Sequence, residues 1–136
     1  MDTKIYINLA VKDLKRAISF FNELGFSTNL KFTNEKGACI AIGKNINVML
    51  LVEEFYKTFT DKQICDSNTT SEVLISISVP TREDVDGIIE KAVKAGGTDY
   101  KRTQDFEWMY QRTFLDLDGH HWEVFFMDET QIPEQL

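Results

Sequence analysis

Branched aliphatic and other residues alternate strictly in Ile5-Tyr6-Ile7-Asn8-Leu9-Ala10-Val11. A period of two predicts a strand with Ile5, Ile7, Leu9 and Val11 on a core face and Tyr6, Asn8 and Ala10 on the other. Asp13 then stands where a helix needs an N-cap, ahead of Leu14, Ala17, Ile18, Phe21 and Leu24 on one apolar stripe. Gly25 follows at the position that favours a left-handed backbone and ends the helix. Three further strand-like runs are predicted, around 26–32, 38–42 and 46–52. Turn residues separate them at Asn34-Glu35-Lys36-Gly37 and Gly43-Lys44-Asn45. Residues 53–71 have a different character. Phe55, Phe59 and Ile64 have the spacing of short amphipathic helices, and a connector is expected here in preference to a lid.

The opening pattern returns in Val73-Leu74-Ile75-Ser76-Ile77-Ser78-Val79, where Val73 stands in the place of Ile5. A helix is expected from about Arg82, with Val85, Ile88, Ile89 and Ala92 inward and Gly96-Gly97 at its end. Strands near 98–102, 110–117 and 121–127 complete the second half. The internal repeat predicts two βαβββ modules, at about 4–52 and 72–128, joined by connector 53–71. The fold class expected is α+β, with curled mixed sheets around a cleft and helices outside. A tail of mostly polar residues with Pro133 follows Asp128.

With 136 residues the chain is one domain by length, with an ordinary globular composition of 43% hydrophobic and 27% charged residues. The net charge of −7 and the absence of a Lys/Arg cluster argue against nucleic acid and anionic membrane as partners. No apolar run has the length of a membrane span and Met1-Asp2-Thr3-Lys4 lacks a signal-peptide pattern, so a cytoplasmic location is expected. Cys39 and Cys65 are too few for a disulfide framework or a zinc motif. Cys39 is expected to pack and not to react.

The repeated modules, the Val11-Lys12-Asp13-Leu14 junction and the Asp116-Leu117-Asp118-Gly119…Glu123 ending resemble the vicinal oxygen chelate superfamily. That group holds glyoxalase I, extradiol dioxygenases, and bleomycin and fosfomycin resistance proteins. The resemblance runs from Ile5 to Met127 and is strongest to small bacterial proteins described as lactoylglutathione lyase-like. It implies modules that pair within one chain or between two, and a homodimer is expected. It also implies a divalent metal held by four side chains on four strands. The matching positions are Tyr6, Leu74, a residue near Leu50 (Met49 or Leu51 after a one-residue slip) and Glu123. Only Glu123 is a hard-metal donor. No cofactor is therefore expected, and a metal, if one binds, would use Glu123 and His121.

Which residues line the cleft depends on the hairpin after Tyr110. A two-residue turn at Asp118-Gly119 sets Phe114 opposite Glu123 and Arg112 opposite Phe125. Tyr110, Arg112, His121 and Glu123 then share a face. A three-residue loop with a bulge at Gly119 slips the register by one, bringing Gln111 and Thr113 beside Glu123 and removing Arg112. On the first arrangement the ligand-binding set is Tyr6, Asn8, Ser76, Ser78, Tyr110, Arg112, His121 and Phe125, with Phe114 as further apolar wall. Arg112 then either meets a ligand carboxylate or neutralises Glu123. His120 and His121 point to opposite faces of a strand and cannot chelate one ion together.

Three functions follow. The leading one is a protein that binds a small, partly aromatic molecule in a cleft without a metal, like the bleomycin-resistance branch. The second is a lyase or dioxygenase of the glyoxalase type with a non-standard metal site. The third is metal-free proton transfer with Glu123 as the catalytic base.

Overall fold

The computed structural model describes residues 1–134. They form two compact units, Met1–Thr70 and the residues from Ser71 onward. Residues 53–70 thus group with the first unit.

In the first unit, β1 (Ile5–Val11) is followed by α1 (Leu14–Glu23), β2 (Ser27–Asn29), β3 (Gly37–Gly43) and β4 (Ile46–Val52). A short helix α2 (Glu53–Tyr56) and a 3-10 turn (Lys57–Phe59) follow. The sheet order is β1-β4-β3-β2, with β1 parallel to β4 and the other pairs antiparallel. The sequence pattern is realised locally. The Asp13 side chain accepts from Arg16 N at 3.2 Å, and the helix buries Leu14, Ala17, Phe20 and Phe21. Their partners are the fully buried Val11, Ala38, Ile40, Val48 and Leu50.

The second unit repeats this plan with β5 (Leu74–Ser78), α3 (Arg82–Lys94), β6 (Thr98–Asp99), β7 (Gln104–Asp105), β8 (Met109–Leu115) and β9 (His121–Met127). The sheet order is β5-β9-β8-β6, with β7 also pairing β8. Again the first strand runs parallel to the last, and the rest are antiparallel. Thr81 caps α3 by accepting from Asp84 N at 3.1 Å. Val85, Ile89 and Ala92 of α3 pack on Phe114, Trp122 and Val124, all fully buried. The Phe114 and Trp122 rings stack with centroids 6.0 Å apart.

Two local expectations change. The strand predicted at 26–32 is shorter, because Leu30–Phe32 turn into a 3-10 helix that Asn29 starts by accepting from Lys31 N. The strand expected at 98–102 is cut to β6 ahead of Lys101, whose φ of 57° departs from strand backbone, and β7 forms beyond the expected range. No helix among the described residues is long and apolar enough to cross a membrane.

Candidate functional site

The β8–β9 hairpin decides which side chains meet. Gly119 has φ +87°, its N–H donates to Asp116 O at 3.1 Å, and Asp116 N donates to His120 O at 3.1 Å. The loop is therefore Leu117-Asp118-Gly119, three residues with the glycine in the left-handed position. The Asp116 side chain closes it. Its Oδ1 accepts from the backbone N–H groups of Asp118 and His120, both at 3.0 Å, and its Oδ2 accepts from Trp122 Nε1 at 3.0 Å. Burial pushes this carboxyl above its ordinary value, while the charge of His120 and the three N–H donors pull it down.

The register that results pairs Thr113 with Glu123, Gln111 with Phe125 and Arg112 with Val124. This corrects the two-residue arrangement: Tyr110, Arg112 and Phe114 leave the Glu123 face and point toward α3. There Tyr110 Oη donates to Asp86 Oδ1 at 2.6 Å, and Arg112 bridges Asp86 Oδ1 and Asp99 Oδ2, each at 2.8 Å. Hydrogen bonds from Tyr110 and Arg112 hold the Asp86 carboxyl below its ordinary value. Burial and the Asp86 contact push the Tyr110 phenol up. Arg112 has two carboxylates of its own and neither binds a ligand acid on the Glu123 face nor neutralises Glu123.

On the face away from α3, Ser76 and Thr113 flank Glu123 from either side, as do Leu74 and Leu115 for His121. Ser78 and Gln111 flank Phe125 in the same way. Ser76 Oγ donates to Glu123 Oε1 at 2.5 Å, and His121 Nε2 stands 3.6 Å from Glu123 Oε2. The Glu123 and His121 side chains are only 20% and 18% exposed. Tyr100, which the sequence reading did not single out, meets the His121 ring edge-on at 5.3 Å. Its place follows from the hydrogen bond Tyr100 N to Thr113 O at 3.1 Å, which carries the β6 pairing one residue further. The order is serine–glutamate–histidine, with the carboxylate in the middle. The Ser76 hydroxyl thus bonds the carboxylate and not the imidazole.

In the first unit Tyr6 and Asn8, both exposed, share a face with Asn47, Met49, Cys39 and Ala41. Their own hydrogen bonds are modest: Asn8 Nδ2 donates to Tyr6 O at 3.4 Å, and Asn47 Nδ2 to Ile5 O at 3.4 Å. Cys39 is fully buried beside Asn47, and burial pushes its thiol up, as a packing cysteine requires. The register also resolves the third metal position. Met49 lies between Asn8 and Cys39 as Glu123 lies between Ser76 and Thr113, whereas Leu50 is fully buried on the helix side. The four positions implied by the resemblance are therefore Tyr6, Met49, Leu74 and Glu123. A phenol, a thioether, an isobutyl group and one carboxylate do not make a donor set for a hard divalent ion. Among the described residues, no group of three or more His, Cys, Asp or Glu is arranged to hold a metal ion.

These observations meet known proteins at the level of the whole chain. The fold matches a solved structure of a hypothetical protein from S. aureus with TM-score 0.79 and 30% identity, over 93% of this chain and 95% of that one. A glyoxalase-related enzyme from Fulvimarina pelagi superposes with TM-score 0.78 at 19% identity, over 93% and 88% of the two chains. A glyoxalase/bleomycin resistance protein/dioxygenase family enzyme from Burkholderia phytofirmans gives TM-score 0.74 at 20% identity, over 90% and 96%. The comparison with curated proteins returned no match. Residues 5–124 match the model of the Glyoxalase/Bleomycin resistance protein/Dioxygenase superfamily. With paired βαβββ units, a shared register and a family match that spans both, the chain belongs to the glyoxalase/bleomycin resistance protein/dioxygenase superfamily.

Proposed function

We propose that this protein binds a small organic molecule without a metal, on the sheet face that carries Glu123. The observation that supports this most is the contrast between Glu123 and the other three metal positions. One polar, mostly buried carboxylate is kept, while Leu74 on the same sheet face supplies apolar contact surface. Ser76, Ser78, Thr113 and Gln111 add hydroxyl and amide groups that fix orientation, and Phe125 adds an aromatic wall.

The test is the melting temperature of metal-stripped protein with Mn²⁺, Fe²⁺, Ni²⁺ or Zn²⁺, and with a library of small aromatic and amphipathic compounds. A ligand at a hundred times its dissociation constant stabilises the native state by about 2.7 kcal/mol, which is a rise of several degrees. Metals are expected to leave the transition in place. Organic binders are expected to raise it in wild type and not in Glu123→Met. A metal-induced rise that vanishes in the same variant would overturn the proposal in favour of lyase or dioxygenase chemistry.

Glu123 also has the free acceptor capacity of a general base, which supports a second reading, proton transfer on the bound molecule. Turnover of an identified binder, lost in Glu123→Gln while binding persists, would establish it.

A further inference from the structure

The two faces of the second sheet treat their carboxylates in opposite ways. On the α3 side, Asp86 and Asp99 are bridged by Arg112, and Asp105 pairs with Arg82 at 2.8 Å. On the other side Glu123, less exposed than Asp86, Asp99 or Asp105, has no lysine or arginine within ion-pair distance among the described residues. Arg102 approaches the group only as far as the Tyr100 ring, at 5.6 Å from its centroid. A carboxylate offers about four acceptor sites. Ser76 fills one on Oε1, and at 3.6 Å the His121 nitrogen lies beyond good hydrogen-bond distance from Oε2. A carboxylate withdrawn from water with most of its acceptor sites open is stabilised strongly by an incoming cationic donor.

We infer that Glu123 is the anchor for a protonated amine, and that the ligand class is a primary or secondary ammonium attached to a flat aromatic body. The inference rests on the small-molecule reading above and specifies its ligand. Phe125 stands two residues along the same strand face, so its side chain originates about 7 Å from that of Glu123. That spacing fits an ammonium on Glu123 with a ring against Phe125, linked by two or three bonds. The ring edge of Tyr100 beside His121 adds a second aromatic surface at the anchored end. Arg112, which would have favoured an acid ligand, is held on the opposite face.

Binding of three matched indoles to the full chain, measured by calorimetry, tests this. Tryptamine carries the ammonium, N-acetyltryptamine removes the charge, and indole-3-propionate reverses it. The expected result is that tryptamine binds wild type about tenfold or more tighter than either relative. Glu123→Gln is expected to remove that preference and leave N-acetyltryptamine within about twofold. Asp105→Asn makes the same change in net charge on the other face and is expected to leave all three affinities within about twofold. Glu123→Met also removes the charge and is expected to abolish the preference, which provides a test if Glu123→Gln does not fold. Equal binding of the three indoles, or a preference that survives Glu123→Gln, would overturn the ammonium anchor and leave the small-molecule reading standing. If no indole binds but neutral library compounds raise the melting temperature in a Glu123-dependent way, the anchor alone again falls. If nothing binds in either experiment, both fall.

Discussion

Two equivalent rungs of the two sheets show what this chain has done with a duplicated plan. In the first unit the central rung is Asn8–Met49–Cys39, and in the second it is Ser76–Glu123–Thr113. In both rungs the first strand pairs parallel with the last and the last antiparallel with the one before it, so within the rung the difference lies in the side chains. The first unit closes its hairpin with a bulge between Ala41 and Gly43, while the second uses the buried Asp116 with its three N–H donors. Behind the sheets the contrast continues. Counting from the N-caps Asp13 and Thr81, the position of Asp86 on α3 is that of Ile18 on α1. The strand register likewise sets Arg112 in the place of Ala38. The first unit is an apolar scaffold and the second concentrates the polar chemistry. A shared backbone thus leaves each unit free to specialise.

Substitutions in both units challenge that contrast, in descending order of expected effect. Asp116→Ala leaves three N–H donors without their acceptor in a buried loop, and should cost about 3 kcal/mol in urea unfolding, since each orphaned donor costs about 1–3 kcal/mol when water cannot reach it. A loss below about 1 kcal/mol would mean that the loop holds its register without the carboxylate. Met49→Glu copies the polar rung into the first unit, against the fully buried Cys39 and without a serine donor, and is expected to cost about 2 kcal/mol. A neutral result would show the rungs to be interchangeable.

Arg112→Met strips Asp86 and Asp99 of their shared cation, and should cost about 1–2 kcal/mol near neutral pH because all three groups are only partly exposed. The same network has a pH signature. The folded Asp86 carboxyl titrates below its ordinary 3.8, so its stabilising contribution is present above that value and fades as pH falls through the lower folded one. The stability gap between wild type and Asp86→Asn should therefore close in acid, and a gap that widened there would break the assignment. Glu123→Met imports the first unit's residue, and should change stability by about 0.5 kcal/mol or less in either direction, as a mostly buried carboxylate gives way to an apolar chain of similar length. Loss of ligand binding without loss of fold would sharpen the comparison most.

The repeat, the helices and most of the core faces were legible in the sequence because their signals are local, although Ile5 and Val73, expected on those faces, are exposed. Alternation marks β1 and β5, and Asp13 and Thr81 cap their helices with their own side chains. The shared face of Glu123, His121, Ser76, Ser78 and Phe125 was also readable, since they alternate along well-marked strands. Tyr110 and Arg112 were misplaced because a single residue separates the two hairpin registers. What selects between them is the capture of Trp122 Nε1 and two backbone N–H groups by Asp116, which alternation does not encode. The aspartate two residues before Asp118-Gly119 was the available clue. Tyr100 escaped notice because its position depends on a β6–β8 pairing of only a few residues.

The parallel pairing of first and last strands in each unit has a consequence for synthesis on the ribosome. Among the described residues β1 pairs with β4 alone, so every pairing of the first sheet is available once residue 52 has been made. β5 must wait for β9, and Ser76 meets Glu123 only across a separation of 47 residues. Until that strand emerges, β5 is an unpaired edge and the apolar ribbon of Ile75 and Ile77 has no sheet to join. The scaffold half is thus assembled early in translation, and the chemistry-bearing half depends on the final strand before any of its polar rung exists.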